Sequence, residues 1–123
     1  MRIVRSVQSR VCVDGSLLKE FLLDEPLTEE FIGFLRNFGS IRLISHMKQP
    51  YFSFEKKDFI SVKGFVGEPS VEVRYRKKYQ DLTNDYFHLL LFYYRDGEHG
   101  IEKLKGIERS IRRKIDVRKD FSE

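Results

Sequence analysis

Residues 51–76 read YFSFEKKDFISVKGFVGEPSVEVRYR, and their period decides the fold. Tyr51 to Glu55 form one strand, Ile60, Val62 and Val66 mark a second, and Val71, Val73 and Tyr75 line a third. Apolar side chains at every second position belong to strands with one buried face. Gly67-Glu68-Pro69 turns the chain between the last two runs. Upstream, Ile41 and Leu43 open a further strand, separated from Tyr51 by the break Lys48-Gln49-Pro50. Strands at about ten-residue spacing, joined by tight turns, predict an antiparallel meander.

Towards the N-terminus the period changes. Thr28 is an N-cap candidate, Glu29 and Glu30 suit the positive end of a helix dipole, and Phe31, Leu35 and Phe38 share a face before Gly39. Before Pro26, Leu17, Leu18, Phe21 and Leu22 recur at helical spacing after Ser16, which predicts a short helical segment. Residues 3–13, IVRSVQSRVCV, are β-branched and roughly alternating, with Val7, Val11 and Val13 on one face, and Asp14-Gly15 closes this strand.

Towards the C-terminus, residues 77–85 read as a polar connection. The run YFHLLLFYY, 86–94, is apolar on both faces and reads as a strand, with a short buried helix capped by Asp85 as the alternative. Asp96-Gly97 stops it. Ile101, Leu104, Ile107, Ile111 and Ile115 then give an amphipathic helix. The predicted class is α+β, one domain over 1–123: a single curved antiparallel sheet in β-α-β4/5-α order, with helices packed on one face. This element order is similar to one half of the TATA-binding-protein fold and to helix-grip ligand-binding folds. The resemblance is one of topology alone and implies no function.

The 123 residues are 41% apolar and 14% aromatic, enough to bury a core and too apolar for a disordered chain. Cys12 is the one cysteine, so no internal disulfide forms, and a reducing, cytoplasmic setting is expected. The arginines in MRIVRSVQSR are out of keeping with a signal peptide, and no apolar run is long enough to span a membrane. The absence of Ala, the many charges and the scarcity of Gln and Asn fit a hot source, and an AT-rich genome would also remove Ala.

The net charge of +4 is a sum of opposed blocks. Residues 1–13 carry three basic and no acidic groups; residues 14–38 carry two basic and six acidic; residues 79–99 carry one and four; residues 100–123 carry eight and five. The first strand, the meander and the last helix are basic, whereas the early helical region and 79–99 are acidic. Two clusters stand out. Arg74, Arg76, Lys77 and Lys78 end the last strand of the meander, the two arginines pointing away from the core, and Arg109, Arg112, Arg113, Lys114 and Arg118 crowd the final helix. Phosphate contact is their functional reading, and a solvated helix face with cations near its C-terminus is the plain structural one.

Catalytic patterns are lacking. His46, His88 and His99 stand at no metal-ligand spacing with one another or with Cys12, which reads as a buried, inert thiol. His88, within an apolar run, reads as a hydrogen-bonded core residue. Gly64-Phe65-Val66-Gly67 matches the four-residue loop of KH domains on paper, but it falls between strands rather than between helices. No dinucleotide fingerprint, phosphate loop or nucleophile elbow occurs, and no cofactor or metal is implied. A strand over 86–94 would carry apolar side chains on both faces of a one-layer sheet, and a homodimer packed sheet on sheet would cover the second face.

These readings favour association over catalysis. The expectation is a small non-catalytic, homo-oligomeric binding module that contacts nucleic acid or an acidic partner through Arg74, Arg76, Lys77, Arg112 and Arg113. The alternative is a carrier of a small apolar ligand, held in a cavity between sheet and last helix and lined by Tyr75, Phe92, Leu104 and Ile111.

Overall fold

The computed structural model describes residues 1–46, 48–57 and 59–121. Six strands, β1 (Ile3–Val11), β2 (Ser16–Leu23), β3 (Ser40–Ile44), β4 (Tyr51–Lys56), β5 (Ile60–Phe65) and β6 (Ser70–Arg76), form one antiparallel sheet in the order β1-β2-β6-β5-β4-β3. The sheet does not close. Helix α1 (Glu29–Leu35) follows β2, and α2 (Gln80–Tyr93) and α3 (Gly97–Phe121) follow β6. The expected α+β architecture, one open sheet with helices on one face, is what the chain adopts. Among the described residues, no helix is long and apolar enough to cross a membrane.

The meander alternates as its period requires. Phe52 and Phe54 of β4, Ile60 and Val62 of β5, and Val71, Val73 and Tyr75 of β6 are all buried, while Glu55, Arg74 and Arg76 between them are exposed. Thr28 caps α1, its Oγ1 accepting the Phe31 N–H at 3.1 Å. That cap aims Phe31, Ile32, Phe34 and Leu35 into the core. On α3 the buried stripe is Leu104, Ile111 and Ile115, with Ile101 and Ile107 half-buried at its edge.

Two segments depart from their predicted form. Residues 16–23 are a strand, not a helix. β2 lies between β1 and β6, with Phe21 and Leu23 on the helix side and Leu18 buried on the other. An interior strand is apolar on both faces, which blurs the period of two that would have identified it. Residues 86–94 are helical, as the alternative reading allowed, but the helix does not start at Asp85. It begins at Gln80, so the supposed connection 77–85 is a 3-10 turn (Lys77–Tyr79) and the first turns of α2. Leu82, Thr83, Tyr86, Phe87, Leu90 and Leu91 are buried, in the i, i+4, i+8 rhythm of a helix, and the Phe87 ring stacks on Phe21 at 5.7 Å.

This change removes the second apolar face. The uncovered side of the sheet carries Arg5, Gln8 and Arg10 of β1, Glu20 of β2, Glu72, Arg74 and Arg76 of β6, Lys63 of β5, Ser53 and Glu55 of β4, and Arg42 of β3. It is a polar surface with an aromatic corner, where the Tyr51 and Phe65 rings lie 5.0 Å apart. The sheet-on-sheet homodimer therefore loses the apolar surplus that suggested it. β1, an edge strand, has register shifts at Ile3/Arg5 and Ser6/Gln8 that interrupt its regular ladder, so Val7 does not share a simple alternating face with Val11 and Val13.

At the junction of α2 and α3, Gly97 has φ +57°, a conformation that glycine tolerates. Gly100 is required by closeness: a Cβ there would lie 2.4 Å from the Tyr93 carbonyl oxygen. Further along, Arg118 grips Asp81 with two hydrogen bonds of 2.7 and 2.8 Å, tying the last turns of α3 to the first turn of α2. Those bonds hold the Asp81 carboxyl down to about 2, below its ordinary 3.8. A depressed carboxylate stabilises the fold above its unfolded pKa and loses that contribution as pH falls through its folded one. Because the pair is exposed, its worth is under about 1 kcal/mol. Asp81→Asn is expected to flatten the loss of stability between pH 4 and 2 by that amount, read by urea titration at each pH.

Candidate anion-binding cleft

β6 is a central strand whose neighbours both turn back at its C-terminal end. Ser16, the first residue of β2, pairs with Arg76, and Ile60, the first of β5, pairs with Tyr75. The β1–β2 turn therefore lies on one side and the β4–β5 turn on the other, while the β6 chain runs on into Lys77, Lys78 and Tyr79. Between them opens a cleft of about 910 Å³, lined by Asp14, Ser16, Glu55, Lys56, Phe59, Ser61 and the whole segment Arg74 to Tyr79.

The charge in this cleft is lopsided. Arg74, Arg76, Lys77 and Lys78 are exposed cations on consecutive or alternate positions. Opposing them are Asp14, whose carboxylate accepts from the Ser16 N–H (3.0 Å) and hydroxyl (2.6 Å), and Glu55. The Ser16 bonds, helped by the charge of Arg74, keep Asp14 below its usual range. The ion pairs among the described residues, Met1–Glu25, Arg2–Asp24, Lys56–Glu108, Arg95–Glu25 and Arg118–Asp81, leave Arg74, Lys77 and Lys78 without a carboxylate partner.

The wall on the β4–β5 side is held by a polar cluster. The Lys56 ammonium contacts the Glu108 carboxylate of α3 and donates to the Phe38 carbonyl. Glu108 also accepts from the Tyr86 hydroxyl at 3.4 Å. Lys56 and Glu108 side chains are 13% and 14% exposed. Burial, with repulsion from Arg112 and Lys105 behind it, brings the Lys56 ammonium down to about 8. Above this pair, Phe59 meets the Tyr86 ring edge-on at 4.8 Å, and the Arg112 guanidinium sits over Phe59 at 5.3 Å. Cleft aromatics are part of this wall rather than free platforms, since Phe59, Tyr75 and Tyr79 are 3%, 1% and 4% exposed. The Tyr75 hydroxyl donates to Asn84 Oδ1 at 2.9 Å, and burial raises the phenol above its ordinary pKa.

Four of the five predicted contact residues thus converge. Arg74, Arg76 and Lys77 line the cleft and Arg112 stands beside it through Phe59. Arg113 is one residue further along α3, about 100° around the helix axis, and is not among the residues that line the cleft. The predicted apolar cavity does not assemble. Tyr75 lines the basic cleft, Leu104 and Ile111 are packed in the core, and Phe92 is 68% exposed on α2 in a separate depression with Met1, Ile3 and Leu89. His88 is exposed rather than buried, because it lies on the outer side of a helix, and Cys12 is half-buried in the β1–β2 turn. His46 and His99 are exposed. Among the described residues, no three His, Cys, Asp or Glu side chains converge as a metal would require.

Sequence reasoning missed Lys56, Ser16 and Ser61. Their sole signal was position: Ser16 begins β2 and Ser61 is the second residue of β5, the two strands that flank β6, and Lys56 ends β4 one strand further out, which becomes informative only when the strand order is known. Compared with known proteins, the chain matches no family model, no curated protein and no solved structure.

Proposed function

We propose that the protein is a non-catalytic binding module that holds nucleic acid by its phosphates in the cleft at the end of β6. The observation that carries this reading is the convergence of Arg74, Arg76, Lys77 and Lys78 in one concavity, with Arg112 beside it. A concave surface with an excess of cations focuses potential and draws polyanions, and arginine forks and lysine ammonium groups are the donors that phosphate oxygens accept.

Fluorescence anisotropy with a labelled oligonucleotide tests the proposal. Binding at about 50 mM salt is expected to weaken steeply as salt rises, because cation–phosphate contacts release counterions. Arg76→Ala with Lys77→Ala is expected to weaken it at least about tenfold, and Arg113→Ala to leave it unchanged. Absence of binding at low salt, or equal losses from all three positions, would refute the assignment.

A further inference from the structure

Resting on that reading, we infer that the site takes a short, single-stranded stretch of nucleic acid through about three phosphates, without stacking its bases. The densest run of cations is Arg74 to Lys78, while Arg10 and Lys63 on the open sheet face stand apart from it, Arg10 beyond Leu18 and Lys63 beside Glu72. Beyond Arg74 on the open sheet face, Glu72 of β6 pairs directly with Glu20 of β2, and Glu55 of β4 lies in the row of Arg74 and Ser61. Glu20, Glu72 and Glu55 break the continuity of a phosphate track across the sheet. On the helix side, Arg118 is engaged with Asp81, and Arg113 is not part of the cleft lining.

Width argues for a single strand. Asp14 lies against the β2 edge of the cleft and Glu55 on β4, three strand spacings apart, or about 14 Å. A single backbone fits between them. A duplex laid on Arg74 and Arg76 would place its second row of phosphates across a groove of about 6 or 12 Å, towards one or other carboxylate. The buried state of Phe59, Tyr75 and Tyr79 leaves no ring in the cleft for a base, so recognition falls on phosphate and sugar, with Ser16 and Ser61 at hand.

Affinity is measured against length, from two to twenty nucleotides of labelled oligo-dT, each across a salt series. The expected result is affinity that levels off at about four nucleotides apart from the statistical gain of extra registers, with a log–log salt slope of about −2 to −3. A duplex of equal length should bind at least about tenfold more weakly. Lys77→Gln, an exposed change that spares the fold, should reduce the slope by about 0.7. Affinity that climbs steeply beyond ten nucleotides, a slope steeper than about −5, or tighter binding of duplex would overturn the short single-strand footprint while leaving the nucleic-acid reading intact. No binding at any length would overturn both.

Discussion

Glu108→Gln is expected to lower the unfolding free energy by about 3 kcal/mol, and the double variant Lys56→Met/Glu108→Leu to recover most of the loss. The pair joins the β4–β5 hairpin to α3, with both side chains nearly buried and Glu108 also accepting from Tyr86. Removing one partner strands the other charge in a low-dielectric setting, where desolvation is not repaid. Replacing both with apolar side chains of similar size removes the charge and its desolvation together. Urea unfolding of the wild type, Lys56→Met, Glu108→Leu and the double closes the cycle, with Glu108→Gln measured beside it. If the double variant loses as much as the two singles combined, the pair is not an electrostatic unit. The same cluster supports Phe59 and Arg112, so single variants should also weaken oligonucleotide binding by loosening one wall of the cleft.

The legible parts of this fold were those with one exposed face. The meander kept its period of two because its outer side is polar, and α3 kept its Ile stripe because its outer side is charged. The parts that misled are covered on more than one side. β2 is an interior strand with Leu18 buried on the open face, and α2 presents Leu82, Tyr86, Phe87, Leu90 and Leu91 to the core with Leu89 and Tyr93 half-buried alongside. Periodicity reports asymmetry of burial, so it fades where burial is nearly uniform. Gln80, Asp81, Asn84 and Asp85 did carry a signal: their spacing leaves Leu82 and Tyr86 in phase with Leu90, which makes 80–93 one helix.

The site shows the same division. Arg74, Arg76 and Lys77 were visible as a local cluster on one strand, since alternation alone puts both arginines opposite the core. That Arg112 joins them and Arg113 does not depends on where α3 crosses the sheet, a long-range fact fixed by Phe59 and Glu108. Basic density on the helix could not decide between two adjacent arginines; a contact to a neighbouring element could.

Phe87→Ala is expected to cost about 3–5 kcal/mol and Phe92→Ala less than about 0.5 kcal/mol, a contrast that a strand over 86–94 would not produce. In the helix, Phe87 is 0% exposed and stacked on Phe21 of β2, so truncation leaves a cavity where α2 meets the sheet. Phe92 is 68% exposed and touches Tyr93 edge-on, so its loss removes little buried surface. Leu90→Ala, at 0% exposure one turn from Phe87, should behave like Phe87 at about 2–5 kcal/mol. An alternating strand would place Leu90 and Phe92 on one face and make those two substitutions similar, with Phe87 on the other. Thermal or urea unfolding of the three variants separates the patterns. Comparable losses at Leu90 and Phe92 would contradict α2, and with it the polar open face that confines the cations of β6 to their cleft.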